Sequence, residues 1–464
     1  MELGFETIGN ATLICHDRGP VLVTDPWIQG SAYFGSWKLS HHVPDEQMEA
    51  ATHARYAWFS HGHPDHLNAE ALPLLRGTTV LLPDHLGGRI RDDLMQQGFD
   101  VRVLADRTWT QLSPRIRVLC IADYNQDGIL LIDIDGRLVV NLNDASDHGW
   151  GNFVRRTIRR HPLSFLLALN GFGDADMINF LDESGQRIPL PPKVPLGQTV
   201  AQLCDFWGVR YFIPFSSLHR YQRTDSAWAA PLAARPEDYY DGFASKTCEM
   251  LPAFIQYDCL TDEVRRIDPP ETESLLYEPQ HFGDDWSEPL DAADRADLDR
   301  YFRSIEKLRD GLDFIDVRVG DRTHHIALAT GRARQSKGIT LEAPRRSLMS
   351  AVRYEVFDDL LIGNFAKVTL HGTWDGPRPL YPEFTPYVAK YADNGRAKTR
   401  RELDEYIASY RRRDPLGHLQ HVVELKYILP LQMASSTFIR GSLGPDSTIY
   451  RAAKKTYWYL RKTV

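Results

Sequence analysis

Phe59-Ser60-His61-Gly62-His63-Pro64-Asp65-His66 sets four potential metal ligands into one short run after an apolar approach. A run of the form H-x-H-x-D-H offers alternating imidazoles to one cation and an adjacent carboxylate and imidazole to a second, and this donor set suits zinc, iron or manganese. The plain alternative is a histidine-rich surface turn. Two further residues can complete such a centre. Asp144 carries two oxygens and can serve two cations that would otherwise repel, and His219 can finish the second site. Taken alone, Asp144 reads as a turn residue or helix N-cap, and His219 as a hydrogen-bonded core histidine.

The elements around these residues favour the metal reading. Tyr56-Ala57-Trp58-Phe59 is a buried-strand pattern that stops at Ser60, so the run sits on a loop at a strand end, where scaffolds commonly present chemistry. Gly128 to Ile134 and Arg137 to Leu142 read as strands joined at Asp135-Gly136, a strong hairpin signal, and the second delivers Asn143-Asp144. Val209 to Phe215 is a further strand that delivers Ser216-Ser217-Leu218-His219. Upstream, strands at Ala11 to Cys15 and Val21 to Thr24 flank Asp17-Arg18-Gly19-Pro20, and the second ends at Asp25-Pro26-Trp27. Asn68 to Leu75 reads as a short helix and Thr79 to Leu82 as a strand.

Beyond about Arg235 the pattern changes to a proline-punctuated connector containing Pro269-Pro270, Pro279 and Pro289. Leu298, Phe302, Ile305, Leu308 and Leu312 recur at helical spacing, which predicts one helix from Leu290 to Leu312. Phe314 to Val319, His325 to Leu328 and Phe365 to Leu370 read as strands. The division predicted is a metal-binding catalytic domain over 1–268 and a mixed α/β extension over 269–464.

With 464 residues, 43% hydrophobic and 25% charged, the composition is that of a soluble globular protein of about two domains. The net charge of -8 argues against a nucleic-acid partner held by a broad basic surface. Cys15, Cys120, Cys204, Cys248 and Cys259 are dispersed without C-x-x-C spacing, which predicts reduced thiols and a cytoplasmic location. Met1 to Glu6 lacks a basic, apolar leader pattern, and no apolar run spans a bilayer, so no membrane association is expected.

His61-Gly62-His63-Pro64-Asp65-His66, Asp144 after its hairpin strand, and His219 after Pro214-Phe215 resemble the ligand series of the metallo-β-lactamase superfamily, over roughly residues 1 to 235. The resemblance implies an α/β (α+β) fold: an αββα sandwich with metals at one edge between the sheets, followed here by the C-terminal extension. It implies for Asp25 the place of a buried aspartate that orients a ligand loop. A narrower resemblance, to the catalytic part of CMP-N-acetylneuraminate hydroxylase, runs through Asn141-Leu142-Asn143-Asp144, Ile213-Pro214-Phe215 and Phe357-Asp358-Asp359-Leu360-Leu361-Ile362-Gly363. That hydroxylase carries an N-terminal Rieske iron-sulfur module, for which these residues offer no Cys/His pairs.

Hydrolases of the superfamily place a histidine between the first motif and the bridging aspartate. Between Val118 and Asp144 this chain offers Asp123, Tyr124, Asn125 and Asp127 and no histidine. Asp123 and Asp127 are equal candidates for the third ligand of the first metal, each otherwise a turn residue, with His148, His41 and His42 as fallbacks. A carboxylate there makes the site harder and favours iron or manganese over zinc.

The expected function is an iron-dependent oxygenase or hydroxylase acting on a small polar molecule, with two metal ions, Asp144 bridging and an external ferredoxin or reductase as donor. The alternative is a di-metal zinc hydrolase of a phosphodiester, lactone or amide, in which a metal-bound water attacks and Asp65 holds or accepts its proton. A noncatalytic or nucleic-acid-processing module fits the ligand set and charge least. Arg220 and Arg223 suit an anionic, nucleotide-sugar-like substrate, or else form ion pairs that stabilise their loop.

Overall fold

Val118-Leu119-Cys120-Ile121 and Ile129-Leu130-Leu131-Ile132 are apolar at every position, so strands made of them must be covered on both faces. A computed structural model shows this arrangement. It describes residues 1–123, 126–145, 151–169, 177–190, 195–216, 218–328, 337–374, 380, 384–388 and 397–423. Val118, Cys120, Leu130, Ile132 and Val139 turn into one core, while Leu119, Ile121, Ile129, Leu131, Leu138 and Val140 turn into another. Each such side chain contributes about 1.5–3 kcal/mol on full burial.

Two large sheets carry these cores. The first has eight strands in the order Glu263–Arg266, Ile255–Asp258, Leu3–Ile8, Thr12–Asp17, Pro20–Thr24, Tyr56–Trp58, Thr79–Pro83 and Asp100–Leu104. The second has seven, in the order Glu249–Met250, Tyr211–Pro214, Leu163–Ala168, Arg137–Asn143, Gly128–Ile134, Ile116–Ala122 and Trp109–Ser113. Leu3, Phe5, Leu13, Leu22 and Trp58 from the first meet Val118, Ile132, Val139 and Phe165 from the second, so the sheets lie face to face. Helices Asp45–Thr52 and Arg89–Gln96 bring Ala51 and Leu94 to the outer face of the first sheet. Helices Gly151–Ile158 and Leu196–Trp207 bring Val154, Ile158, Val200 and Cys204 to the outer face of the second. The layers are therefore α, β, β and α.

The strand register bears out the turn chemistry. Ile134 pairs Arg137 across Asp135-Gly136, and both central residues have positive φ (48° and 86°). Leu13 pairs Thr24 across the Arg18-Gly19 turn. Between Asn68 and Leu75 only Leu72–Leu75 is helical, as a single 3₁₀ stretch.

A separate five-stranded sheet in the order Phe180–Leu181, Lys367–His371, Gly338–Glu342, Phe314–Val319 and Arg322–Ala327 forms the C-terminal module, and its first strand comes from the other side of residue 268. The predicted helix from Leu290 to Leu312 is two helices, Ala292–Ser304 and Leu308–Gly311. The break lies where Glu306 N–H bonds Lys398 O (2.9 Å) instead of continuing the helix, and Ile305, Leu308 and Leu312 still reach one core. The module docks through Phe34 against Phe365 (6.2 Å between ring centroids) and Ser36 Oγ donating to Gly363 O (2.6 Å). Among the described residues no helix is long and apolar enough to cross a membrane.

Candidate metal centre

Several strand ends converge at one edge of the sandwich. Asp25 follows Pro20–Thr24, the His61 run follows Tyr56–Trp58, Asp127 precedes Gly128–Ile134, Asp144 follows Arg137–Asn143 and Ser216 follows Tyr211–Pro214. The backbone is strained here: Asp25 (φ 40°), Tyr33 (51°), Phe34 (56°), Gln126 (66°), Asn143 (55°) and Ser216 (65°) all occupy the left-handed region that non-glycine residues disfavour. Strain of this kind gathers where a site over-determines the backbone. Gly128 is needed for another reason, since a Cβ there would stand 2.7 Å from Pro83 Cγ and 3.1 Å from Ser60 O.

His61, His63 and Asp144 bring one ligand atom each to within 4.8 Å of one another. His61 Nε2 lies 2.8 Å from His63 Nδ1 and 3.9 Å from Asp144 Oδ2. The outer nitrogens of both rings are also engaged. His61 Nδ1 meets Ser60 Oγ at 2.9 Å, with Asp127 Oδ1 at 3.9 Å, and His63 Nε2 meets Asp358 Oδ2 at 2.8 Å. The other Asp144 oxygen accepts the Ser216 hydroxyl (2.6 Å).

Asp65 and His66 form the second half. His66 Nε2 lies 3.3 Å from Asp65 Oδ2 and 3.4 Å from Asp144 Oδ2, so a single Asp144 oxygen faces both His61 and His66. Asp65 accepts the Tyr33 hydroxyl (2.5 Å) and the Asn10 amide (3.0 Å). Asp25 takes Ser60 N–H (2.8 Å) and the Asn143 amide (2.7 Å), and stands 3.5 Å from His66 Nδ1. Burial opposes charge at every one of these groups. At Asp65 the facing His66, His63 and the Tyr33 hydroxyl outweigh it and hold the carboxyl well below its usual range. At His66 the Asp65 and Asp144 carboxylates outweigh it and hold the imidazole well above its usual value. At Asp25 burial prevails over His66 and Ser60, and the carboxyl is raised. Burial, then Asp65, raise Tyr33 and keep it a hydroxyl donor.

Among the described residues, the remaining predicted ones lie outside the His61, His63 and Asp144 group. Asp123 Oδ1 accepts Asp127 N–H (3.1 Å), and Asp127 faces the Nδ1 edge of His61, opposite the nitrogen turned to His63. Neither belongs to the His61, His63, Asp144 group. His219 begins the strand His219–Tyr221, and its ring stacks on Trp37 (centroids 3.4 Å, 6°). Arg220 pairs with Glu271 and bonds Ser274 Oγ (2.8 Å). Arg223 is fully buried between Asp225 (2.8 Å) and Asp284 (2.7 Å), with its guanidinium over the ring of Phe365. Both arginines thus hold loops together, the ion-pair alternative weighed for them. His41 meets Ser40 Oγ (2.9 Å) and packs on Phe254. Tyr124, Asn125, His148 and Ser217 lie outside the described residues.

Four contributors are not among the predicted site residues: Asn10 and Tyr33, which no motif marks, and Asn143 and Asp358, which stand in the hydroxylase-like segments without a role assigned to them. Asp358, Asp359 and His63 form a second close group, in which burial and the adjacent Asp358 push the Asp359 carboxyl well above its usual range. His66 Nε2 is buried and meets hydrogen-bond geometry with neither facing carboxylate, so nitrogen and oxygens aim at shared space. Such a donor set fits a cation.

A two-sheet sandwich covered by helices on both outer faces, with histidines and aspartates gathered at one sheet edge, is the metallo-β-lactamase fold. No family model matches the chain. Among curated proteins it is similar to the inactive cytidine monophosphate-N-acetylneuraminic acid hydroxylase of Homo sapiens, 26% identical over 160 residues, which are 32% of this chain and 30% of that protein. The hydroxylase of Gorilla gorilla gorilla matches at 26% over 160 residues (32% and 25%), and that of Asterias rubens at 26% over 140 (28% and 21%). The match thus spans less than a third of the length of these relatives. Among solved structures, a point mutant of the CmlA beta-hydroxylase aligns with TM-score 0.36 and 14% identity over 57% of this chain and 54% of its own. An isothiocyanate hydrolase from Delia radicum gut bacteria aligns with TM-score 0.37 and 12% identity over 55% and 98%.

Proposed function

We propose that the protein is an iron-dependent oxygenase that hydroxylates a small polar molecule with electrons from an external ferredoxin or reductase. The observation that carries this reading is the donor set of the first site. His61 Nε2, His63 Nδ1 and Asp144 make two imidazoles and one carboxylate, and neither Asp123 nor Asp127 joins them. Two histidines and one carboxylate with open positions are the set used by non-haem iron oxygenases. Bound there, iron would supply dioxygen activation. The activity for which the curated relatives are named, hydroxylation of a cytidine monophosphate sugar, supports the same class, and suggests an anionic, nucleotide-sugar-like substrate. Arg220 and Arg223 are committed within the fold, so they are left out of substrate binding.

The chain's own residues would divide the work. Ser60 and Asp358 hold the outer nitrogens of His61 and His63. Asn10 and Tyr33 fix Asp65 as an acceptor, and Ser216 fixes one oxygen of Asp144 so that the other faces both histidine groups. That last feature also supports a second reading, a di-metal hydrolase, because a bridging carboxylate and a metal-polarised water are its basic parts.

Metal content after growth in iron-replete and zinc-replete medium, with reductant-dependent oxygen uptake, tests the choice. Iron and uptake are expected. Stoichiometric zinc alone, with phosphodiester or lactone turnover without reductant, would overturn the oxygenase reading. His61→Ala and His63→Ala should each lose the first metal, and Asp144→Ala both.

A further inference from the structure

Among the described residues, His63 is the histidine of the run whose outer nitrogen meets a side chain of the C-terminal module. Its Nδ1 faces His61 and its Nε2 lies 2.8 Å from Asp358 Oδ2, a contact across 295 residues. Asp358 sits in the short helix Phe357–Ile362, every residue of which is buried. That helix is seated on the metal edge from three sides. Arg89 of the sandwich donates to Glu355 O (3.0 Å) and to Tyr354 O, just before it. Ser36 donates to Gly363 O (2.6 Å), just after it. Asn364 donates to the Tyr221 hydroxyl (3.0 Å) and accepts from Ile178 N–H (3.0 Å). Arg89 opens the outer helix Arg89–Gln96 of the sandwich, and Ser36 and Tyr221 belong to the small sheet of Ser31–Ala32, Trp37–Leu39 and His219–Tyr221 and its turn. Ile178 lies just before Phe180–Leu181 of the module's own sheet, so docking of the C-terminal module on the first two delivers Asp358.

We propose that Asp358 is a positioning residue of the first metal site: it accepts the Nε2 proton of His63, fixes the tautomer that leaves Nδ1 as donor, and so makes that site depend on the C-terminal module. The inference rests on His63 being a ligand, as proposed above. A carboxylate on the far nitrogen of a ligating imidazole orients the ring and raises its basicity, and losing such a partner weakens metal binding about 10–100-fold. Asp65 and His66 take the side-chain partners Asn10, Tyr33, Asp25 and Asn143 from before residue 268, and Asp359 of the module acts on Asp65 and Tyr33 through its charge.

The test uses the full chain, zinc as a diamagnetic probe, and the variants Asp358→Ala, Asp358→Asn and Asp358→Glu. Chelator competition reports each site's affinity, and histidine ring nitrogen spectra report the His63 tautomer. Asp358→Ala should bind zinc at the first site about 10–100-fold more weakly, with the second site within about threefold of the parent. Its His63 Nε2 proton signal should move or vanish, and Asp358→Glu should recover part of both. Unfolding midpoints of the three variants separate a lost fold from a lost partner, because Asp358→Asn keeps the shape and one acceptor oxygen. Unchanged first-site affinity or an unmoved His63 signal in folded Asp358→Ala would overturn the proposal. So would a third zinc that only Asp358 variants lose, since Asp358 would then be a ligand itself. A parent chain that binds no zinc at His61 and His63 would instead sink the metal reading, before any variant is compared.

Discussion

His61 with His63, and Asp65 with His66, share one loop but draw support from different parts of the chain. The second pair is fastened by strand ends and turns of the sandwich: Asn10 and Tyr33 on Asp65, and Asp25 and Asn143 on the buried edge of His66. The first pair leans on Ser60 at one end and on Asp358 of the C-terminal module at the other. Side chains hold a productive geometry when their rotamers are locked by further contacts. Among the described residues, the hydrogen-bond partners of one half therefore come from before residue 268, and the other half takes Asp358 from the docked module.

Arg223 offers the strongest way to break that division, because it ties module to sandwich without touching either half. Its guanidinium bonds Asp225, Asp284 and Phe34 O, and Asp284 in turn accepts Ser347 N–H (3.0 Å) and its hydroxyl (2.6 Å) from the module helix Arg345–Arg353. Arg223→Met strands two carboxylates, one of them fully enclosed, and should cost about 3–5 kcal/mol. Urea unfolding should show the module loosening first, and metal titration should show the His61 and His63 site weakened more than its neighbour. Equal loss at both sites would mean that the module supports the whole loop.

Tyr33→Phe is the opposite and smaller perturbation. It removes the hydroxyl from ionised Asp65, a charge-assisted bond of about 1.5–3 kcal/mol, and leaves the His63 to Asp358 contact in place. Stability should fall by about that amount, and metal affinity should fall at the Asp65 and His66 site. A larger loss at the first site would contradict independent support of the two halves.

The sequence shows one half of this comparison far better than the other. Runs apolar at every position, closed by Asp135-Gly136, announce strands covered on both faces, and the ligand run stands directly after such a strand, so the metal edge is legible. Tyr33 is not. Its place depends on a left-handed backbone at Tyr33 and Phe34 and on the tight turn at Gly35, where a Cβ would collide with Phe282 (2.1 Å to Cδ1). No local pattern encodes that. The Asp358-Asp359 pair is visible in the sequence, but its approach to His63 is a tertiary contact that periodicity cannot reach. Arg223 is left open for the same reason: a guanidinium near the ligand loop suits an anion or an ion pair, and its partner Asp284 lies 61 residues away. The predicted Leu290 to Leu312 helix fails more subtly, because its apolar spacing survives a break that Lys398 imposes from another segment.

The smallest expected effect concerns a second contact of the C-terminal region, at His85. Its Nδ1 meets the Tyr410 hydroxyl (3.1 Å), which also accepts Leu86 N–H (2.9 Å), while Tyr406 and Tyr410 pack on Ala122. Burial, opposed by the Ser60 backbone and reinforced by Arg413, lowers the His85 imidazole from 6.5 to about 3. Its folded value is depressed, so below pH 6.5 the unfolded chain takes up a proton that the folded chain refuses. Stability from this contact is then complete above pH 6.5 and is lost progressively as pH falls towards 3. Asp65 responds lower on the scale, since its depressed carboxyl gives stability that is lost only as pH falls below the ordinary 3.8. Between about pH 7 and 5, therefore, acid should loosen the Arg400–Arg413 helix and spare the sandwich half. His85→Phe should flatten the fall in unfolding midpoint over that interval. Subtracting the two proteins cancels His66, whose raised value adds stability below 6.5 and loses it as pH climbs through its folded value. An identical fall in both proteins would show that His85 does not couple the helix to pH, and the acid response would then belong to other groups, among them His41 and His418, whose imidazoles burial also lowers.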